Sequence, residues 1–415
     1  MFPFSRANFK VNSASFSILA DRPSFFSLLI ISLAGILLSS CTTIPPDEKK
    51  NIRKSSQFTR VDFSSITPIT TEDWDIALSS FRNSCSVIRK QSFLKEACRQ
   101  AYLMQYSDAE SFFKKNFEPW QIKLVEKDIK TGDIHKISDS GLMTGYYEPS
   151  LKVSSKKTTI NSVPILATPE DLITVDLASL YPQLKGLRLR GKLKGNRLVP
   201  YDNRKNITKR RDLDENAIAW SHSPADVFFL QIQGSGRLEF ADGSMIRVGY
   251  DNQNGHPYKA IGSWLIRKGY LKKDQVSMQT IRSWIKNNPK RVDELLNQNP
   301  SFVFFKVQNN IKPDQGPIGA QGIPLTAQAS IAVDPKHVPL GTPLIVHAYQ
   351  DSPFIEFTRP VIAQDTGGAI KGILRFDYFW GSGKEAGEKA GTQKSTLRAW
   401  ILLPRGTNPE DIGLR

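Results

Sequence analysis

Asp365 and Asp377 stand on either side of a glycine-rich bend, in Ala363-Gln364-Asp365-Thr366-Gly367-Gly368 and Arg375-Phe376-Asp377-Tyr378-Phe379. Two carboxyl groups brought to one cleft can divide acid and base work between them. The aromatic neighbours of Asp377 would desolvate it and raise its pKa, as a general acid requires. Asp365 either joins it in the cleft or caps the glycine turn. Asp334, in Ala332-Val333-Asp334-Pro335, reads as a turn cap beside proline.

A second cluster is Thr144-Gly145-Tyr146-Tyr147-Glu148-Pro149. Tyrosine rings with polar neighbours suit the faces of sugars, or they end a strand inside a core. Val227–Gln233 is an almost continuous apolar run and reads as a strand. On that reading Gln231 and Gln233 share a face. Their amides either meet sugar hydroxyls and N-acetyl groups or pair with backbone at a sheet edge.

Other chemistries lack their motifs. The five histidines form no HxH or HExxH pair, so no metal site is expected. There is no GxSxG elbow and no Walker A sequence. Gly234-Ser235-Gly236 opens like a dinucleotide loop, but Glu239 stands where the third glycine belongs. No cofactor is expected.

The positioning elements follow from periodicity. Trp74, Ala77, Leu78 and Phe81 recur at helical spacing, and helical character extends from Asp73 to about Phe117. Ser92 opens a second helix. From about residue 142 the pattern is mostly strand, with Arg188, Arg190, Lys192 and Lys194 alternating with apolar or small residues and Asp242-Gly243 marking a hairpin. Helices return over roughly 257–299. Short strands are expected at 326–333, 343–348, 359–363, 374–379 and 397–403, the pattern of a small barrel.

The N-terminus sets the compartment. Arg6, Lys10 and Arg22 precede an apolar run from Phe25 to Leu38, too short to span a bilayer comfortably and suited to a secretory signal. It ends in Leu38-Ser39-Ser40-Cys41, which matches the bacterial lipobox with Cys41 as the lipidated residue. Thr42 is not the aspartate of inner-membrane retention, so the periplasmic face of the outer membrane is expected. Residues 1–40 are then the signal peptide, and 41–70, with Pro45 and Pro46, a flexible tether. The whole chain carries a formal charge of +16, and removing residues 1–40 leaves +14. Export excludes nucleic acid as the anionic partner, whereas peptidoglycan supplies carboxylates on its peptides. Cys85 and Cys98 are either a structural disulfide or two buried thiols.

Taken together, Met143–Pro149, Phe229–Leu238, Gly249–Leu265, Gly319–Asp334, Pro339-Leu340-Gly341-Thr342 and Ala363–Gly391 resemble the membrane-bound lytic murein transglycosylase A family, whose C-terminal domain is named for three aspartates, here Asp334, Asp365 and Asp377. The resemblance implies a mainly β fold with N-terminal helices. A double-psi β-barrel is assembled from two chain segments, 71–149 and 311–415, with a second β-rich domain inserted at 150–310. It implies cleavage of the β-1,4 bond between N-acetylmuramic acid and N-acetylglucosamine, without water, to leave 1,6-anhydro ends. Asp377 would be the catalytic acid and Asp365 its neighbour. Thr144, Tyr146, Tyr147, Glu148, Gln231, Gln233, Gly234, Ser235 and Lys371 would line the glycan site. The expected partners are peptidoglycan glycan strands and, through the lipid, the outer membrane, with room for other cell-wall enzymes. A two-carboxylate hydrolase and a non-catalytic wall-binding protein are the competing readings.

Overall fold

The computed structural model describes residues 52–414, apart from 89–91, 105–108, 185, 310 and 313. These residues fall in one compact unit. The signal segment and Cys41 lie outside the described residues.

Part of the tether expected over 41–70 is regular structure instead. Residues Ile52–Arg60 form strand β1. Three helices follow: α1 (Thr71–Cys85), α2 (Lys95–Leu103) and α3 (Ala109–Asn116). Thr70 caps α1 by accepting from the backbone N–H of Asp73, with Glu72 and Asp73 in the first turn where the helix dipole favours acid. Cys85 and Cys98 are joined as a disulfide between α1 and α2. The chain continues through β2 (Phe117–Asp128), β3 (Ile134–Ser138) and β4 (Gly141–Glu148). β1 pairs antiparallel with β2 along its whole length.

The inserted segment holds β5 (Ser150–Lys152), β6 (Val163–Leu166), β7 (Ile173–Thr174), β8 (Arg190–Lys194), β9 (Arg197–Pro200), α4 (Arg204–Ile207) and β10 (Ala217–Ser221). It continues with α5 (Pro224–Gln233), β11 (Ser235–Glu239), β12 (Met245–Gln253), α6 (Ile261–Arg267), α7 (Met278–Asn287), α8 (Val292–Leu296) and β13 (Val303–Val307). Its main sheet runs β13-β12-β11-β5. One expectation fails here: 227–233 is helix α5, not a strand. Ser223 accepts from the N–H of Asp226, Pro224 occupies the first turn, and Gly234 ends the helix at φ 80°. These cap signals outweigh the β-like composition of the run.

The last segment supplies β14 (Ser330–Val333), β15 (Pro343–Gln350), β16 (Ile355–Thr366), β17 (Arg375–Ser382), α9 (Gly383–Thr392) and β18 (Lys394–Pro404). The order β18-β15-β16-β14-β17-β4 closes through pairing of β18 with β4, giving a six-stranded barrel from two chain segments. This is the double-psi β-barrel that the resemblance implies. Period-2 alternation fills both its faces. Leu344, Val346, Val361, Ala363, Phe376, Leu397, Ala399 and Ile401 point into the barrel. Ile345, Ile362, Trp400 and Leu402 point outward against Trp74, Leu78, Phe81 and Phe113 of the helices.

The helices also brace the strand that carries Asp365. Gln364 is buried and donates to the carbonyl of Ser80 at 2.8 Å and to Ser84 Oγ at 2.8 Å, while Ser80 Oγ donates to Gln364 Oε1 at 3.1 Å. A buried amide satisfied this fully fixes its strand against α1.

Candidate active site

Strand β14 lies between β16 and β17. Its Ala332 pairs with Asp365 on one side and with Asp377 on the other, and Asp377 pairs with Thr144 of β4. Paired residues share a sheet face, so Asp365, Ala332, Asp377 and Thr144 form one row across four strands. Ile331 and Val333 point into the barrel core, so this row faces outward. A register shift between Ile331 and Ala332 brings Asp365 opposite Ala332, although strand alternation alone would give it the inward parity of Ala363. The two aspartates are one strand apart, roughly 10 Å between backbones at two strand spacings.

Each carboxylate has distinct company. Thr144 Oγ1 donates to Asp377 Oδ1 at 2.6 Å, and Arg375 Nη2 donates to Thr144 Oγ1 at 2.9 Å. Burial pushes the Asp377 carboxyl up to about 6. The Thr144 hydrogen bond and the Arg375 cation oppose that rise, and the charge of Asp365 adds to it. Asp365 accepts from the Ala320 backbone N–H at 2.9 Å and from Tyr146 Oη at 3.0 Å. Burial raises its carboxyl too, against those hydrogen bonds and that of the Thr366 N–H. Both groups are half-buried. Asp377 therefore holds its proton to higher pH than an ordinary aspartate, and Asp365 accepts from both a backbone N–H and a tyrosine hydroxyl.

Asp334 is buried and braces loops. Its Oδ1 accepts from the Lys336 N–H at 3.3 Å and its Oδ2 from the Gly372 N–H at 2.9 Å, tying the turn after β14 to the bend between the other two aspartates. Lys371 is exposed on that bend, and among the described residues no ion pair links it to either aspartate.

Several expected glycan-lining residues are interior instead. Tyr146 is buried against Phe379 at 5.2 Å between ring centres and spends its hydroxyl on Asp365. Tyr147 packs beneath α9 with Ala386 and Ala390, and its backbone N–H donates to Gln233 Oε1 at 3.0 Å. Glu148 has no exposed surface. It pairs with Arg237 at 2.8 Å and with Arg247 at 2.7 Å, and Ser382 Oγ donates to it at 2.7 Å. A fully buried carboxylate between two guanidinium groups joins the barrel to the insert and cannot meet a ligand. Gln231 is buried and Gln233 half-buried, on different sides of α5 because residues two apart in a helix diverge. Gly234 is the helix C-cap, and Ser235 is buried in β11.

The insert reaches the site's flank. A Cβ on Gly368, in the bend after Asp365, would lie 3.6 Å from Arg188 Nη1. In the basic row, Lys192 pairs with Asp202 at 2.5 Å, and Arg190 donates to Asn252 Oδ1 at 2.7 Å. Elsewhere Gln279 of α7 donates to the carbonyl of Glu388 in α9 at 3.3 Å. The bend that follows Asp365 therefore lies against the insert at Arg188.

Two contributors were missed by sequence reasoning. Arg375 could have been found, because it stands two residues before Asp377 on the same strand face. The Ala320 N–H could not, since a backbone group carries no side-chain signal. Among the described residues no group of three or more His, Cys, Asp or Glu side chains could hold a metal ion.

Comparison with known proteins follows the same geometry. The MltA-specific insert domain matches residues 142–306 and the 3D domain matches residues 329–403. Membrane-bound lytic murein transglycosylase A of Escherichia coli is 30% identical over 389 residues, covering 90% of this chain and 94% of the relative. The chain belongs to the membrane-bound lytic murein transglycosylase A family. It is a peptidoglycan lytic transglycosylase. Crystal structures of the family share its fold. MltA from Neisseria gonorrhoeae superposes with a TM-score of 0.70 at 36% identity, covering 85% of this chain and 94% of that one. E. coli MltA with bound chitohexaose gives 0.61 at 30% identity, covering 83% and 93%. The family's relatives are named membrane-bound, and among the described residues no helix is long and apolar enough to cross a membrane.

Proposed function

We propose that Asp377 is the single acid/base of this transglycosylase. Its carboxyl protonates the oxygen leaving C1 of N-acetylmuramic acid, so the bond to N-acetylglucosamine breaks. The C6 hydroxyl of the same muramic acid then attacks C1 and returns its proton to the Asp377 carboxylate. The products are a free 4-hydroxyl and a 1,6-anhydro end, with no water consumed. One carboxyl serves both steps because the nucleophile belongs to the substrate.

The observation that carries this reading is the inequality of the two aspartates. Asp377 sits near pKa 6, with one oxygen held by Thr144. Asp365 already accepts from Ala320 and Tyr146, which leaves it poorly placed to hold and deprotonate a water as an inverting hydrolase would need. In this reading Asp365 supplies negative charge beside the oxocarbenium-like transition state. Thr144 and Tyr146 serve the carboxylates rather than the sugar. Lys371, exposed on the adjoining bend, remains free to meet carboxylates of the glycan's peptides.

The enzyme's place is the periplasmic face of the outer membrane, held by lipid on Cys41. The apolar run ending in Leu38-Ser39-Ser40-Cys41 supports this. Digestion of purified sacculi with mass analysis of the products tests the chemistry. Anhydro ends are expected, reducing ends would replace the reading with a hydrolase, and no soluble product would leave a wall-binding protein. Outer-membrane fractionation of Cys41→Ala tests the anchor, and unchanged membrane retention would refute it.

A further inference from the structure

The β2–β3 ribbon has a tip that the barrel does not use. β2 pairs with β18 only through Phe117–Gln121 and then runs on to Asp128, flanked by β1 and β3. Past Val125, which is still buried, the ribbon is largely open to water. Ile129 in the turn is 61% exposed, and Ile134 and Ile137 on β3 are 55% and 50% exposed. Ile134 pairs with Lys127 and Ile137 with Val125, two residues apart on β2, so a register shift at His135 puts both isoleucines on one face of the ribbon. With Ile129 in the turn beyond them, the exposed apolar residues gather at the ribbon's end. Single exposed apolar residues are ordinary, but three isoleucines around one turn are not.

A basic collar surrounds them. Lys127, Lys130 and Lys136 are exposed, and Arg53 and Lys54 come from β1 beside them. The acidic groups are largely engaged. Glu126 pairs with Lys54 at 2.9 Å, and Asp128 accepts from the backbone N–H groups of Lys130 and Thr131 and faces His135 at 3.6 Å. Asp133 is the remaining acid at the turn.

The register of β1 gives this tip its partner. Ile52, the first described residue, pairs with Asp128 at the ribbon's end. The chain from Cys41 therefore enters the fold at the tip and not at the barrel. Cys41 precedes Ile52 by eleven residues, a reach of at most about 40 Å. An anchor at Cys41 would tether the fold to the bilayer through the end of β1 that lies at the tip.

We propose that the tip formed by Ile129, Ile134 and Ile137 inserts into the headgroup layer of an anionic phospholipid leaflet, with the surrounding lysines on the lipid phosphates. This rests on the lipid-anchor reading of Cys41. Apolar side chains set in a basic surface are the combination that binds anionic interfaces. The gain is orientation: two attachments fix which side of the enzyme faces the wall, where one tether leaves it free.

The test uses the chain from Thr42 to Arg415, which contains every described residue of the compact unit and carries neither signal nor lipid. It is mixed with vesicles of phosphatidylethanolamine and phosphatidylglycerol, or of phosphatidylcholine alone, and sedimented. Binding is expected to the anionic vesicles and not to the neutral ones. The combined variant I129S/I134S/I137S should weaken it by about tenfold or more, with muropeptide release and sacculus binding unchanged. K127E/K130E/K136E should do the same and serves if the serine variant misfolds. No binding to anionic vesicles, or equal binding by both variants, overturns the proposal. Loss of sacculus binding instead would make the tip a wall contact and overturn it equally. Mass analysis of Cys41 in the full-length protein from cells reads the anchor separately, so its failure is distinguishable from failure of the tip.

Discussion

Thr144 gives its hydroxyl hydrogen to Asp377 Oδ1 at 2.6 Å and has no second use for it. Arg375, which can only donate, occupies the acceptor side of the same hydroxyl at 2.9 Å. The rotor is fixed, and Oδ1 is held as an acceptor. The acid proton is left to Oδ2. Replacing Thr144 by Val removes a hydrogen bond that favours the carboxylate, so the Asp377 pKa must rise. The enzyme needs the protonated form first, and the alkaline limb of its pH–rate profile should move to higher pH. Loss of alignment should cost about tenfold or more in kcat. An alkaline limb that stays in place or moves down would break the link between Thr144 and the acid.

Asp377→Asn should abolish release of anhydro-muropeptides, a loss of about 10²–10⁴-fold or more, while sacculus binding persists. It should also reveal a stability cost. The folded carboxyl titrates near 6, against 3.8 as its ordinary value. Between those values the folded state binds more protons than the unfolded one, so wild-type stability falls as pH rises through that window. The loss is at most about 3 kcal/mol. Asparagine does not titrate, so denaturant unfolding should show the variant's advantage over wild type growing from pH 4 to 7. Parallel curves would mean the burial of Asp377 is compensated elsewhere.

Glu148→Gln removes the carboxylate shared by Arg237 and Arg247. Arg247 is itself buried, so its charge would be left without compensation. A cost of about 3–5 kcal/mol follows, read by urea unfolding. A cost under about 1 kcal/mol would mean the pair is not what holds insert to barrel.

The legible parts of this fold were those written in local pattern. Apolar segments between turns at 343–348 and 397–403 pointed to short strands, though runs such as Leu344-Ile345-Val346 are apolar on both faces, and Trp74, Ala77, Leu78 and Phe81 pointed to the buried side of α1. Residues 227–233 misled because their composition is β-like, although Ser223, Pro224 and Gly234 spelled a capped helix. Asp365, Asp377 and Thr144 were candidates by residue type, and the structure brings the three into one row. Tyr147 and Glu148 suit a sugar by type, but α9 covers the one, and Arg237 and Arg247 of the insert enclose the other. The outward placement of Asp365 depends on a register shift, which no side-chain pattern announces.

The Cys85–Cys98 disulfide closes a short loop, with a sequence separation of 13, across the helical layer behind β16. Cys85→Ser with Cys98→Ser should cost about 3 kcal/mol, chiefly by freeing the unfolded chain. Because Ser80 and Ser84 of α1 hold Gln364, the loosened layer should lower the melting temperature without changing the pH–rate profile. A shifted profile would show that the helices tune the acid rather than brace its neighbour.

Asp365→Asn separates the transglycosylase from the hydrolase most sharply. Asp365 raises the Asp377 pKa by its charge, so neutralising it should lower that pKa. The alkaline limb should then move to lower pH, opposite in sign to the Thr144→Val shift. At the acid plateau, where Asp377 is protonated in both proteins, turnover should fall by about 10–100-fold, through loss of charge beside the oxocarbenium-like transition state. It should not vanish, because asparagine can keep both contacts: its carbonyl oxygen accepts from the Ala320 N–H and its amide N–H donates to the Tyr146 hydroxyl oxygen, so the row stays in place. The products should still carry anhydro ends. In a hydrolase Asp365 would be the base that activates water, and its amide would be as dead as Asp377→Asn. Equal loss in the two asparagine variants, or reducing ends from wild type, would return Asp365 to that role. Partial activity with a downward-shifted limb leaves Asp377 as the one carboxyl the reaction requires.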